Sequence, residues 1–204
     1  MNTLLAKGIQ HLESTDKVLR EIIKKQGTCD LSPSKNYFQN LVRAIIAQQL
    51  SSKASATIHE RFSKILGNQI TPENILKLKN EEFRGSGVSN QKMNYLIDLS
   101  KIYIKDKYVF SNLEKYSNEE IIAVLTKING IGLWTAQMFL IFSLNRLNVL
   151  PLDDTGIRNS VKVHYKLKKH PDKKSLKKIA SKWGEYSSIA VWYLWKALDN
   201  KNSG

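Results

Sequence analysis

The chain is short of the residues that staple, break or anchor a protein. It holds a single cysteine, Cys29, in 204 residues. One cysteine excludes an internal disulfide, a cysteine-rich zinc site and a four-cysteine iron–sulfur site. Cys29 reads as a small residue near a helix end, because a reactive thiol needs an electropositive setting. Unbroken apolar runs are only a few residues long, so no bilayer-spanning helix is expected. Residues 1–10 lack a basic stretch followed by an apolar core, so no secretory leader and an intracellular location are expected. Proline (4) and glycine (10) are sparse. They fall at joints such as Gly67–Pro72, Gly85–Gly87, Gly130–Gly132, Pro151–Gly156 and Pro171–Gly184.

Acidic residues are also scarce. Asp and Glu number 18 against 32 Lys and Arg, a formal charge of +14. Such a balance on one small protein points to a polyanion, most commonly nucleic acid. Arginines number 6 against 26 lysines. Lysine makes point-charge contacts to phosphate, whereas arginine more often reads base edges, so backbone binding is favoured over sequence reading. Nine lysines crowd one stretch: Lys162, Lys166, Lys168, Lys169, Lys173, Lys174, Lys177, Lys178 and Lys182. They fit a solvated face plus a loop as well as they fit phosphate contact.

What is present in abundance is helical periodicity. Phe38, Leu41, Val42, Ile45 and Ile46 form an i, i+3, i+4, i+7, i+8 stripe over 37–50. The pattern continues over 52–66 with Ala54, Ile58, Phe62 and Leu66, and over 91–104 with Met93, Leu96, Ile97 and Ile104. Ser117 followed by Glu119 and Glu120 marks a helix start. Helices are also expected over 4–26, 134–144, 155–165 and 185–198. No strictly alternating stretch reaches strand length between turn signals, so the chain reads as all-α. Its length suits one domain or two small lobes, burying roughly 70% of the unfolded surface. A plausible division is a central helical lobe over 31–135 and a second lobe in which 1–30 pack on 136–204.

The most informative stretch is Ile128-Asn129-Gly130-Ile131-Gly132-Leu133-Trp134-Thr135-Ala136. A helix should end near Lys127 and another begin near Leu133. Glycines between them permit a tight turn or a close backbone approach. Free N–H groups at the new helix start make an anion site that can hold a phosphate without reading sequence. Asp153 and Asp154, ahead of the helix at 155–165, read as cap residues or as a functional carboxylate.

The stretch from Ile128 to Ala136 resembles the hairpin of the helix-hairpin-helix DNA glycosylase superfamily. Three further motifs resemble it in the same order. Leu41-Val42-Arg43-Ala44-Ile45-Ile46-Ala47-Gln48-Gln49-Leu50-Ser51 is similar to the alkylation-repair branch, the 3-methyladenine DNA glycosylase II type. Pro151-Leu152-Asp153-Asp154-Thr155-Gly156-Ile157-Arg158 resembles the catalytic loop. Trp183-Gly184-Glu185-Tyr186 through Trp195 resembles the closing helix. The likeness covers residues 36–199.

The resemblance implies a two-lobed all-α fold with the active site in a cleft between the lobes. It implies an enzyme of base excision repair that flips an alkylated purine out of double-stranded DNA and cleaves its N-glycosidic bond. Asp154 matches the acid that stabilises the oxocarbenium-like transition state, leaving Asp153 as cap or neighbour. Trp134 stands where bifunctional relatives carry a Schiff-base lysine, and Lys127 lies seven residues upstream, so an abasic product without strand cutting is implied. Trp134 and Trp195 are implied in an aromatic base pocket, with Tyr37, Phe38 and Met138 as further candidates. In a well-known relative the position of Met138 is a tyrosine, which bears on substrate range. The same aromatics at helical spacing also read as plain core. Gln48, Gln49, Leu50 and Ser51 would face the minor groove, with Gln49 or Leu50 plugging the gap left by the flipped base.

Gly130, Gly132, Thr135 and Lys162 are implied as DNA contacts. A sodium or potassium ion could sit on the carbonyls of Thr126, Ile128 and Ile131; no other cofactor is implied. The best-known bacterial relatives carry a β-rich domain ahead of the helical lobes, whereas about 35 residues precede the match here, so a compact helical form is expected. A monomer working where the DNA is, in the nucleoid, cytoplasm or nucleus, is the family expectation. Another lesion, such as ethenoadenine or a deaminated base, and a non-catalytic DNA-binding module remain alternatives.

Overall fold

A computed structural model describes the backbone of residues 3–202 and the side chains of 3–198. Among these residues there are helices and turns and no strand. The chain forms two compact units, one of Met1–Pro33 with Leu140–Gly204 and the other of Ser34–Phe139.

The first unit opens with α1 (Thr3–Thr15) and α2 (Lys17–Gln26). The helical stretch expected over 4–26 divides into these two helices at Asp16. Its φ of −133° is extended, and its side chain caps α2 by accepting from Val18 N and Leu19 N. The same carboxylate accepts from the Tyr165 hydroxyl at 2.6 Å and the Trp183 indole at 3.1 Å, with Lys182 Nζ at 3.4 Å. Asp16 is buried. Burial opposes its charge, but these hydrogen bonds and the lysine outweigh it and hold the acid below its usual range. Burial and the neighbouring Asp16 in turn push the Tyr165 hydroxyl upward, so it remains a donor. Cys29 is buried and burial raises its thiol to about 11, which makes it inert.

The second unit contains α3 (Tyr37–Ala47), α4 (Ser52–Ile65), α5 (Pro72–Lys77), α6 (Asn80–Ser86), α7 (Asn90–Lys105), α8 (Lys107–Phe110) and α9 (Asn118–Leu125). The α3 stripe Phe38, Leu41, Val42, Ile45 and Ile46 is fully inward. α3 stops at Ala47 rather than reaching 50, because Gln48 leaves the helical conformation at ψ 129° and Gln49 turns left-handed at φ +57°. α7 packs against α3, α5, α6 and α8 and so forms the axis of this unit. Met93 and Leu96 face that core, but Ile104, expected with them, lies on the surface at the helix end. α9 begins with a complete capping box: Ser117 Oγ accepts from Glu120 N, and Glu120 accepts from Ser117 N.

α10 (Leu133–Phe142) carries the chain from the second unit into the first. α11 (Thr155–His164), α12 (Lys173–Ala180) and α13 (Ser187–Asn202) complete the first unit. α13 starts two residues later than expected, since Ser181–Tyr186 forms a 3-10 segment ahead of it. α13 packs on α1, α2 and α11, and its run from Ile189 to Leu194 is buried without a break. No helix among the described residues is long and apolar enough to cross a membrane.

Candidate active site

Each unit carries candidate functional side chains. In the first, Asp154 is the N-cap of α11, and its Oδ1 accepts from Ile157 N at 2.7 Å. The cap role expected of Asp153 therefore belongs to Asp154 itself. Asp153 is exposed and pairs instead with Lys173 at 2.8 Å. The Trp195 indole N–H also donates to Asp154 Oδ1, at 3.1 Å. Trp195 stacks on Phe142 with centroids 5.6 Å apart and planes 24° apart. Gly156 makes this arrangement possible: a Cβ there would sit 3.1 Å from Asp154 Oδ1 and 3.4 Å from the indole. Asp154 is only 8% exposed. A carboxylate at a helix start, held by two N–H donors, is a fixed negative group suited to stabilise positive charge on a reacting sugar.

Two serines that periodicity does not single out hold this acid in place. Ser188 Oγ donates to Arg146 O at 2.6 Å and accepts from Val149 N at 3.0 Å, tying the loop that leads to Asp154 onto α13. Ser160 Oγ donates to Leu194 O at 2.7 Å and ties α11 to the same helix. Both are buried. A buried serine inside an apolar stretch was the available signal, since such a hydroxyl must find a partner.

In the second unit the turn between α9 and α10 has the expected hairpin form. Gly130 sits at φ +84° with the Tyr95 ring against its Cα, so no side chain fits. Gly132 is not left-handed, and a Cβ there would meet nothing. Its carbonyl accepts from Ala136 N at 3.0 Å and opens α10. Asn129 N donates to Asp98 Oδ2 at 2.7 Å. Thr126, Ile128 and Ile131 lie together in this turn, and the Ile128 carbonyl already accepts from Ile131 N at 3.0 Å. No cluster of three or more His, Cys, Asp or Glu able to bind a metal exists among the described residues.

The turn between α3 and α4 lies beside the hairpin. Gln48 Nε2 donates to Gly130 O at 2.7 Å, so this amide faces the hairpin. Gln49 and Leu50 are exposed at the tip, and Ser51 caps α4 by accepting from Ala54 N. Trp134 is 50% exposed while Thr135 is buried. Met138 and Tyr37 are half-buried, Tyr37 edge-on to Phe139 at 5.8 Å. Phe38 goes into the core against Tyr103 at 4.9 Å. It therefore serves packing, as its place in the α3 stripe already suggested. Among the lysines of the 162–182 stretch, Lys162 is half-buried, Lys173 is spent on Asp153 and Lys182 on Asp16. Lys166, Lys168, Lys169, Lys174, Lys177 and Lys178 are exposed.

Residues 42–185 match the HhH-GPD superfamily base excision DNA repair protein family. The chain is 38% identical over 200 residues to DNA-3-methyladenine glycosylase 1 of Schizosaccharomyces pombe, covering 95% of this chain and 88% of that protein. A solved structure of the Schizosaccharomyces pombe 3-methyladenine DNA glycosylase in complex with abasic DNA superposes with a TM-score of 0.83 at 36% identity, covering 95% of this chain and 97% of that one. The crystal structure of a DNA-3-methyladenine glycosidase from Bacillus halodurans gives 0.84 at 33% identity, covering 96% and 91%. With its hairpin, its capped acid and this likeness over nearly its whole length, the chain belongs to the HhH-GPD superfamily of base excision DNA repair proteins.

Proposed function

We propose that this protein is a DNA glycosylase that removes alkylated purines of the 3-methyladenine and 7-methylguanine type from double-stranded DNA and leaves an abasic site. The observation that carries the reading is Asp154, buried at the head of α11 with Ile157 N and the Trp195 indole both on Oδ1. As the bond between C1′ and the base nitrogen breaks, the electron pair leaves with the cationic base, which becomes neutral. Positive charge then grows on the sugar, and the Asp154 carboxylate stabilises it. Water adds to C1′ and gives up a proton, which the carboxylate can accept. An alkylated purine is already a good leaving group, so no strong general acid is required. Such electron-poor rings stack well on indoles, the role proposed for Trp134 and Trp195.

The N–H groups at the start of α10 hold a phosphate, and Gln49, exposed at φ +57°, fills the gap in the duplex. A monovalent cation on the Thr126, Ile128 and Ile131 carbonyls would add positive charge beside that phosphate. With tryptophan at 134 the hairpin offers no amine for a Schiff base, which supports a hydrolytic glycosylase without lyase action. The test is incubation with methylated duplex DNA, chromatography of the freed bases, and scoring of strand breaks before and after alkali. Free 3-methyladenine or 7-methylguanine with breaks only after alkali is expected. Tight binding with no base released moves the assignment to another lesion or to a non-catalytic module. Breaks before alkali overturn the monofunctional reading.

A further inference from the structure

Three residues at three-residue spacing on α7 each reach one of the two loops just described. Lys92 Nζ donates to Ile46 O at 2.7 Å and to Gln48 O at 2.8 Å, at the end of α3. The Tyr95 ring lies against Gly130. Asp98 Oδ2 accepts from Asn129 N at 2.7 Å. The circuit closes through Gln48, whose backbone carbonyl takes Lys92 and whose side chain donates to Gly130 O at 2.7 Å. Gln49, the next residue, is held left-handed at φ +57°, a conformation that a residue with a side chain adopts only at a cost.

Lys92 is half-buried, and the contacts its ammonium makes are to carbonyls. Burial pulls its pKa down, which marks the cost of placing a cation there. A helix end is usually finished more cheaply, by a glycine or asparagine and water. Three ammonium donors can do what those cannot: grip two carbonyls at once and fix the direction in which the chain leaves the helix. We propose that Lys92 is a positioning residue for lesion recognition, setting the Gln49 turn and, through Gln48, its distance from the phosphate-binding hairpin. The proposal rests on the glycosylase reading for its consequence, though not for its geometry. A plug must enter the duplex at a set distance from the phosphate that the hairpin grips, and a misplacement of about 1 Å can cost up to about 100-fold in rate.

The test compares the parent with Lys92→Met, which keeps the stem and loses the donors, with Lys92→Arg, and with Gln48→Leu, which breaks the link to the hairpin. Amide hydrogen exchange reads the turn directly. Lys92→Met should speed exchange at residues 49–51, and Gln48→Leu should speed it at 130–132. Binding to duplexes with and without an abasic site reads the consequence. Lys92→Met should weaken abasic-site binding roughly tenfold, about 1.4 kcal/mol, while undamaged duplex is held nearly as well. KM should rise more than kcat falls, and Lys92→Arg should recover most of the loss. If Lys92→Met folds poorly, Gln48→Leu carries the same test. A parent that releases no base from methylated DNA overturns the alkylpurine reading, and the exchange data then still decide the geometry. A parent that releases base, beside variants matching it in exchange and abasic-site affinity, overturns the role of Lys92.

Discussion

The Trp195 indole and the backbone N–H of Ile157 meet on one oxygen of Asp154, at 3.1 and 2.7 Å. One donor comes from α13 and the other from the first turn of α11, so the carboxylate is fixed by two helices at once. Asparagine keeps a side-chain oxygen able to accept both, and it is as good a cap as aspartate. Asp154→Asn should therefore fold normally and still bind abasic DNA. Base release should fall by at least about 100-fold, because only the negative charge has been removed. Single-turnover release and a binding titration on the same preparation check this; undiminished release would refute the role of Asp154.

Trp195 supplies both a ring and a donor. Trp195→Phe keeps an aromatic surface for Phe142 and loses the N–H. A hydrogen bond to a charged group contributes about 1.5–3 kcal/mol. Its loss should lower melting by several degrees, and the less firmly held carboxylate should lower the single-turnover rate roughly tenfold. An equal rate in the two proteins would mean that Ile157 N alone orients the carboxylate.

The two hairpin glycines should respond differently to alanine. At Gly130 the left-handed backbone and the Tyr95 ring both oppose a Cβ. Gly130→Ala should cost about 2 kcal/mol of stability. At Gly132 a Cβ meets nothing within the protein. Gly132→Ala should melt like the parent yet bind duplex more weakly, because on the proposed binding mode the added methyl would stand in the path of a phosphate. Urea denaturation and binding measured together distinguish them; unchanged duplex binding by Gly132→Ala would remove the hairpin from the interface.

Asp16 makes a pH-dependent contribution to stability. Its folded-state pKa lies below the unfolded value, so its contribution is present in full above the usual carboxylate range. It is lost as the pH falls below about 4 toward the folded value. Asp16→Asn should cost about 3 kcal/mol at pH 7, since the Tyr165, Trp183 and Lys182 partners lose a charged acceptor. The gap between the two proteins should narrow below pH 4. Denaturant midpoints across pH 3 to 7 measure this, and a gap constant over that range would show that Asp16 acts by shape alone.

The helices were legible because burial of one face imposes a period that can be read along the chain. The α3 stripe and the Ser117–Glu120 cap lie where the pattern puts them. The hairpin was legible because Gly130 occupies a backbone conformation that few other residues tolerate. The ends of α3 and the break at Asp16 were not, since a polar residue at a helix edge reads alike whether it continues or caps. Phe38 and Tyr37 are adjacent aromatics; the stripe already turns Phe38 inward, and its contact with Tyr103 bears that out.

Composition, periodicity and four ordered motifs thus determined the fold class, the family likeness and the choice of Asp154. Tertiary structure alone decided which side chain meets which backbone group. Gln48 finds Gly130 across 82 residues, Lys92 finds Ile46 across 46, and Trp195 finds Asp154 across 41. Local period is set by the geometry of one helix. A hydrogen bond between elements depends on how whole helices pack, and no spacing along the chain encodes it.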